Sequence, residues 1–148
     1  METPETIAKE LAMLKRKDTN ECERYFKEHI LSMDSSNFLI QTHNTELILL
    51  YAHYHSFDSF NELELVKLNM EDLMLEYIRL RRILWVDAEV ALVESTMNEA
   101  VKAILEYSVL SERAEVALLK KGNGELIKFY EQKWGFRSRE GKNLRLRM

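Results

Sequence analysis

The chain is poor in residues that turn a backbone sharply: it has one proline and four glycines in 148 residues, with every glycine at or beyond Gly122. Hairpins, sandwiches and barrels need such turns at short intervals, so the sequence argues against an all-β fold. Cys22 stands alone, which excludes an intrachain disulfide and gives no reason to expect an oxidising compartment. The longest apolar run, Leu47 to Ala52, is far short of the roughly 20 residues that span a bilayer. Met1 to Lys15 carries charges where a signal peptide needs its apolar stretch. These absences lead us to expect a soluble, cytoplasmic protein with no membrane association. What is present suits a packed core, since 46% of the residues are hydrophobic and 31% charged. No nucleophile, base and orienting group fall at a workable spacing, so neither an enzyme nor a cofactor is expected.

Laid against itself, the chain repeats with a period of 26 residues and one insertion. Tyr25, Tyr51 and Tyr77 are 26 apart, and Tyr130 follows 53 further on, with Ile104 in the fourth place. Three more columns step by 26, 26, 27 and 26: Leu14, Ile40, Val66, Val93, Leu119; Met13, Leu39, Leu65, Leu92, Leu118; and Leu31, Phe57, Ile83, Leu110, Phe136. On this alignment the additional residue falls between Ile83 and Val93, in a connector containing Trp85. Inside each repeat the apolar spacing changes midway. Leu92 and Val93 form one stripe, and Ala100, Val101 and Ile104 form a second with the i, i+1, i+4 spacing of a helix face.

Each repeat therefore reads as a short first helix, a tight turn at His43, Asn69, Thr96 or Gly122, and a longer second helix. Thr96 and Glu99 have the form of a capping box, and Glu10, Glu62, Glu89 and Glu115 recur near the start of the first helix, where the dipole favours an acid. Helices this short are marginal alone, so stability has to come from stacking each pair on its neighbours. The expected repeats cover 8–33, 34–59, 60–86, 87–112 and 113–136 within a domain of residues 1–136, followed by a basic tail, 137–148.

The closing repeats, Ala114-Glu-Val-Ala-Leu-Leu119 followed by Gly122-Asn-Gly-Glu-Leu-Ile-Lys-Phe-Tyr130, resemble a family of short tandem two-helix repeat proteins of bacteria whose biochemical role is unassigned. The resemblance implies an all-α fold, a right-handed-type α-solenoid of about five repeats. It is HEAT- or armadillo-like, with units shorter than those classes use. It also implies a binding scaffold, by analogy of fold alone.

His53, His55 and Asp58, with His43 upstream, form the densest group of metal-ligand types. Residues 53 and 55 point about 200 degrees apart on a helix, so the spacing argues against a metal site, and His43 suits a left-handed turn. Cys22 shares a column with Ile48, Met74, Val101 and Ile127 and is expected in the core. The tyrosine rings are expected to pack between repeats with their hydroxyls at the edge.

Two departures from the rhythm point outward. Arg79, Arg81 and Arg82 precede Trp85, a combination suited to a binding anchor, unless the indole only fills the space made by the insertion. Two places after the tyrosine column come Lys27, His53, Arg79, Glu106 and Gln132, a solvated row on which a partner would dock. The second departure is the tail. Residues 133–148 hold six basic residues against Glu140, a net +5, while residues 1–132 carry 15 basic against 24 acidic residues, a net −9. The expected function is a non-catalytic protein-interaction scaffold whose partner is an unknown protein contacting Arg79, Arg81, Arg82, Trp85, His53 and Glu106. The alternative is a nucleic-acid-binding accessory protein using the tail and the Arg79–Arg82 region. Trp134 and Phe136 close the last repeat, so that end must be covered, by the tail or by a second copy in a homodimer.

Overall fold

The computed structural model describes residues 3–148, which form eleven helices and no strand. They group into two compact bodies, the first ending at Leu68 and the second beginning at Asn69.

The N-terminal body holds α1 (Pro4–Arg16), α2 (Thr19–Glu28), α3 (Met33–Gln41), α4 (Thr45–Tyr54) and α5 (Ser59–Lys67). Here α1 packs on α3, α3 on α5, and α2 on α4. The C-terminal body holds α6 (Glu71–Arg81), α7 (Val86–Glu94), α8 (Asn98–Tyr107), α9 (Glu112–Lys121), α10 (Gly124–Lys133) and α11 (Arg139–Leu146). Within it α7 packs on α9 and α9 on α11, while α6 packs on α8 and α8 on α10. Within each body, a helix thus meets the one two places along the chain.

Local chemistry sets the helix ends. Asp18, Ser32, Asn44, Asp58, Ser111, Asn123 and Ser138 each cap a helix by accepting a backbone N–H three residues ahead. A cap of this kind contributes about 1 kcal/mol. The turns between paired helices place Lys17, His43, Asn69 and Gly122 at positive φ, all in one sequence column. Thr96 shares the column and departs from that conformation, as a β-branched residue should. Second helices begin two residues after His43, Asn69, Thr96 and Gly122, and Leu14, Ile40, Val66, Val93 and Leu119 are all buried, as the spacing predicts. Cys22 is buried as well, and burial raises its thiol above the usual range.

Two expectations are corrected, and the tail takes a definite form. The additional residue lies in α6, not in the connector after Ile83. Elsewhere the helix caps four residues after the Tyr column, at His29, His55, Ser108 and Trp134, whereas α6 runs on to Arg82, five after Tyr77 and left-handed at φ 65°. The buried column is therefore Leu31, Phe57, Leu84, Leu110 and Phe136, and Ile83 points to solvent. The capping box at Thr96 is also absent: α8 is preceded by Met97, which makes no cap bond, and the free Glu99 and Ala100 N–H groups reach a carboxylate oxygen of Glu71 instead. Finally, the tail is a helix. α11 docks on α9, leaving Leu144 half-buried and Leu146 exposed.

Candidate docking surface

The glutamates expected near the start of the first helices are core residues. Glu10, Glu62, Glu89 and Glu115 are at most 4% exposed. The carboxylates of Glu10, Glu89 and Glu115 tie one helix pair to the next. Glu10 accepts the Tyr25 hydroxyl at 2.5 Å and the Ser32 amide at 3.0 Å. Glu115 accepts the Tyr130 hydroxyl at 2.6 Å, the Arg137 and Ser138 amides, and the Ser138 hydroxyl. Glu89 faces Ile104 in the tyrosine column and receives only the Ser111 amide and hydroxyl. Burial lifts the Glu89 carboxyl above the usual range, the Ser111 bonds oppose the rise, and the nearby Glu115 charge adds to it. Burial also pushes Glu10 upward, but bonds from Tyr25, Ser32 and Ser35 outweigh it and leave the carboxyl low. The tyrosine hydroxyls are accordingly not at the edge. Tyr51 and Tyr130 also accept the amides of Leu31 and Leu110, twenty residues upstream in each case. A carboxylate spaced four turns before its phenol could have revealed the pairing, but sequence alone cannot tell a buried acid from one that caps a dipole.

The terminal helices of this arrangement are polar where the others are apolar. α2 presents Glu21, Arg24 and Glu28 in the columns that hold Leu47, Leu50 and Tyr54 in α4, and Tyr25 is only half-buried. Beside it lies a cleft of about 680 Å³ lined by Thr6, Lys9, Glu28 and His29. In the C-terminal body α10 carries Glu131 in the column of buried Leu105, and Glu131 pairs with Arg145 of α11 at 2.9 Å. Gly141 lets α11 come close, because a Cβ there would lie 2.6 Å from Glu115 Oε1.

The large exposed apolar side chains lie instead along the connectors that follow second helices. In the C-terminal body, apart from Leu146 and Met148 at the end of the chain, these are Leu80, Ile83, Trp85 and Val86 at one connector and Tyr107 and Val109 at the next. The two connectors run side by side. Arg82 lies over the Tyr107 ring at 5.2 Å at one end, and Asp87 pairs with Arg113 at 2.9 Å at the other. Trp85 occupies the cap position held by Ser32, Asp58 and Ser111 in the other connectors, makes no cap bond, and is 54% exposed. It does not fill an internal space.

The residues singled out in the sequence divide between the bodies. Arg79, Arg81, Arg82, Trp85 and Glu106 belong to the C-terminal body, where Arg79 pairs with Glu76 at 2.7 Å and Arg81 is half-buried. His53 belongs to the N-terminal body, exposed with its ring edge-on to Tyr54. His55 has a structural partner, donating Nε2–H to the Phe26 carbonyl, much as Trp134 Nε1 donates to the Leu105 carbonyl. Among the described residues no group of His, Cys, Asp and Glu has the arrangement to hold a metal ion, and no helix is long and apolar enough to cross a membrane.

Comparison of the chain with protein-family models, with curated proteins and with solved structures gives no match in any of the three. The class defined by the coordinates is an all-helical protein with packing between neighbouring helices.

Proposed function

We propose that the chain is a non-catalytic docking scaffold built as a short α-solenoid, five tandem two-helix repeats closed by α11, and that it binds another protein through its connector edge. Support for the solenoid comes from the column rhythm, from packing of helices on the next but one within each body, and from the Glu joints that recur with it. Repeat stacks need polar terminal faces to stay soluble, and α2 and α10 have them.

The observation that carries the docking role is Trp85. A cap residue would contribute about 1 kcal/mol at that position. An indole more than half in solvent gives that up and exposes apolar surface in exchange. Trp and Arg are the side chains enriched in binding anchors, and both stand here with Ile83, Val86 and Tyr107 around them. Arg79 and Arg113 are engaged by carboxylates of their own body, and Arg145 by Glu131, which favours a protein over a polyanion as partner.

The test is paired affinity capture from a lysate of the source organism with the wild type and with Ile83→Asp/Trp85→Ser. A bound protein lost with the double variant supports the reading. Equal capture by both, with melting temperatures unchanged, removes the connector edge from function.

A further inference from the structure

Resting on that docking reading, we infer that the partner of the connector edge is a second copy of this chain, bound face to face about a two-fold axis that runs between the two connectors.

Charge distribution supplies the first argument. The end of α6 and the connector after it carry Arg81 and exposed Arg82, whereas the last turn of α8 carries Glu106 and α9 opens with exposed Glu112. The exposed side chains between these charges are apolar: Ile83, Trp85 and Val86 by one connector, Tyr107 and Val109 by the other. With Arg82 and Glu106 at one end of the two connectors and Asp87 and Arg113, of reversed sign, at the other, the surface is complementary to itself after a two-fold rotation. The axis that achieves this is parallel to the connectors and midway between them. It sets the start of one connector against the start of the other, so Arg82 of each copy meets Glu106 of its mate, and Ile83 meets Val109. Interfaces of this isologous kind are the commonest in soluble oligomers.

Area supplies the second. Six side chains between 37% and 67% exposed form this edge. They offer on the order of 500 Å² of apolar surface, near the upper size of patches on monomers and approaching the roughly 800 Å² per partner of a stable interface once the charged rim is included. The edge is also held in shape before any partner arrives, because Arg82 over Tyr107, Asp87 with Arg113 and Glu89 with Ser111 fix the two connectors to one another. A preformed surface loses little side-chain freedom on binding.

This places self-association away from the C-terminal end considered from the sequence. There α11 already lies on α9, and Glu131 and Arg145 make the surface polar.

Sedimentation equilibrium of the full chain between about 1 and 200 μM tests the inference. The expected result is a mass rising from 17.6 kDa toward twice that value. Arg82→Glu alone and Glu106→Arg alone should each weaken the dimer at least about tenfold, and the two together in one chain should restore it to within about threefold, because the swapped pair meets across the axis twice. Trp85→Ser should abolish the dimer while the melting temperature stays the same or rises, since it installs the cap found on the other connectors. A chain that stays monomeric throughout the range overturns the second-copy inference. So does a dimer indifferent to Trp85→Ser and to the charge reversals. If the monomer instead captures a different protein in a Trp85-dependent way, the docking reading stands and this occupant is wrong. Trp85-dependent sedimentation of the monomer with phosphatidylcholine–phosphatidylserine vesicles would assign the edge to a lipid surface and overturn both.

Discussion

Tyr130 donates its phenolic hydrogen to Glu115 at 2.6 Å and accepts the Leu110 amide at 3.1 Å, so one hydroxyl satisfies a buried acid and a buried amide together. Tyr25 makes only the first of these contacts, to Glu10. Removing a hydroxyl that leaves buried groups unpaired costs about 2–3 kcal/mol, and one at a half-exposed site about 1 kcal/mol. Tyr130→Phe is therefore expected to lower the free energy of unfolding in urea by two or more times as much as Tyr25→Phe. Equal losses would show that the shared hydroxyl is not what stabilises this joint.

Glu10 and Glu89 make the same kind of joint with opposite dependence on pH. The Glu10 carboxyl is held below 4.5 in the folded chain, so its contribution is present above that value and is lost as pH falls through the lower folded one. Glu89 is raised above 4.5, so the folded state binds its proton more readily, and stability from this group grows as pH falls through the raised value. Glu89→Gln keeps an oxygen for Ser111 and should match or exceed the wild type in melting temperature near about pH 7, with the advantage gone near about pH 4. Glu10→Gln should be less stable near about pH 7 and converge with the wild type in acid. Parallel curves for the two variants would disprove the assignment.

At Gly141 an added methyl would have to share space with Glu115 Oε1 and, at 2.7 Å, with Ser138 Oγ. Gly141→Ala, although it should favour an isolated helix, is expected to lift α11 from α9 and speed tryptic cleavage at Arg137 and Arg139 several-fold. Deleting residues 137–148 should go further, leaving Glu115 without three of its donors and lowering stability by roughly 2–4 kcal/mol. If light scattering shows the truncated chain to be monomeric and equally stable, α11 has no covering role.

Trp85→Ser is expected to stabilise the chain by about 1 kcal/mol through the cap it restores at the start of α7. Chemical denaturation measures this directly, and a loss of more than about 1 kcal/mol would mean the indole is packed more tightly than its exposure indicates.

Much of this architecture was legible because the core repeats as the fold does. Leu14, Ile40, Val66, Val93 and Leu119 could be recognised from spacing alone, and the turns from the glycine, asparagine and histidine that tolerate positive φ. The errors share a physical cause, which is that local signals were ambiguous where the deciding contact is remote. Ile83 and Leu84 are both aliphatic, so only the longer α6 shows which of them enters the core. Thr96 and Glu99 satisfy a capping pattern, yet Glu71, far back in the chain, takes the amides that Thr96 would have served. The charge of the tail marked no helix either way, and α11 forms because Ser138 caps it and α9 receives it. Of the candidate surface, Arg82 and Trp85 were visible as departures from the pattern. Tyr107 and Val109 were not, because nothing in their own repeat marks them as exposed.

The Glu joint has a consequence for rebuilding the molecule. Glu89 reaches Ser111 across 22 residues, and Glu115 reaches Arg137 across the same interval, so the two joints are interchangeable in kind. A duplicated copy of residues 87–112 inserted after Glu112 would find a carboxylate behind it and a waiting amide ahead, with no new sort of contact required. The length of this protein is thus editable in whole steps of 26 residues from within, whereas appending a copy beyond Leu146 would ask Glu131 and Arg145 to give up their pairing first.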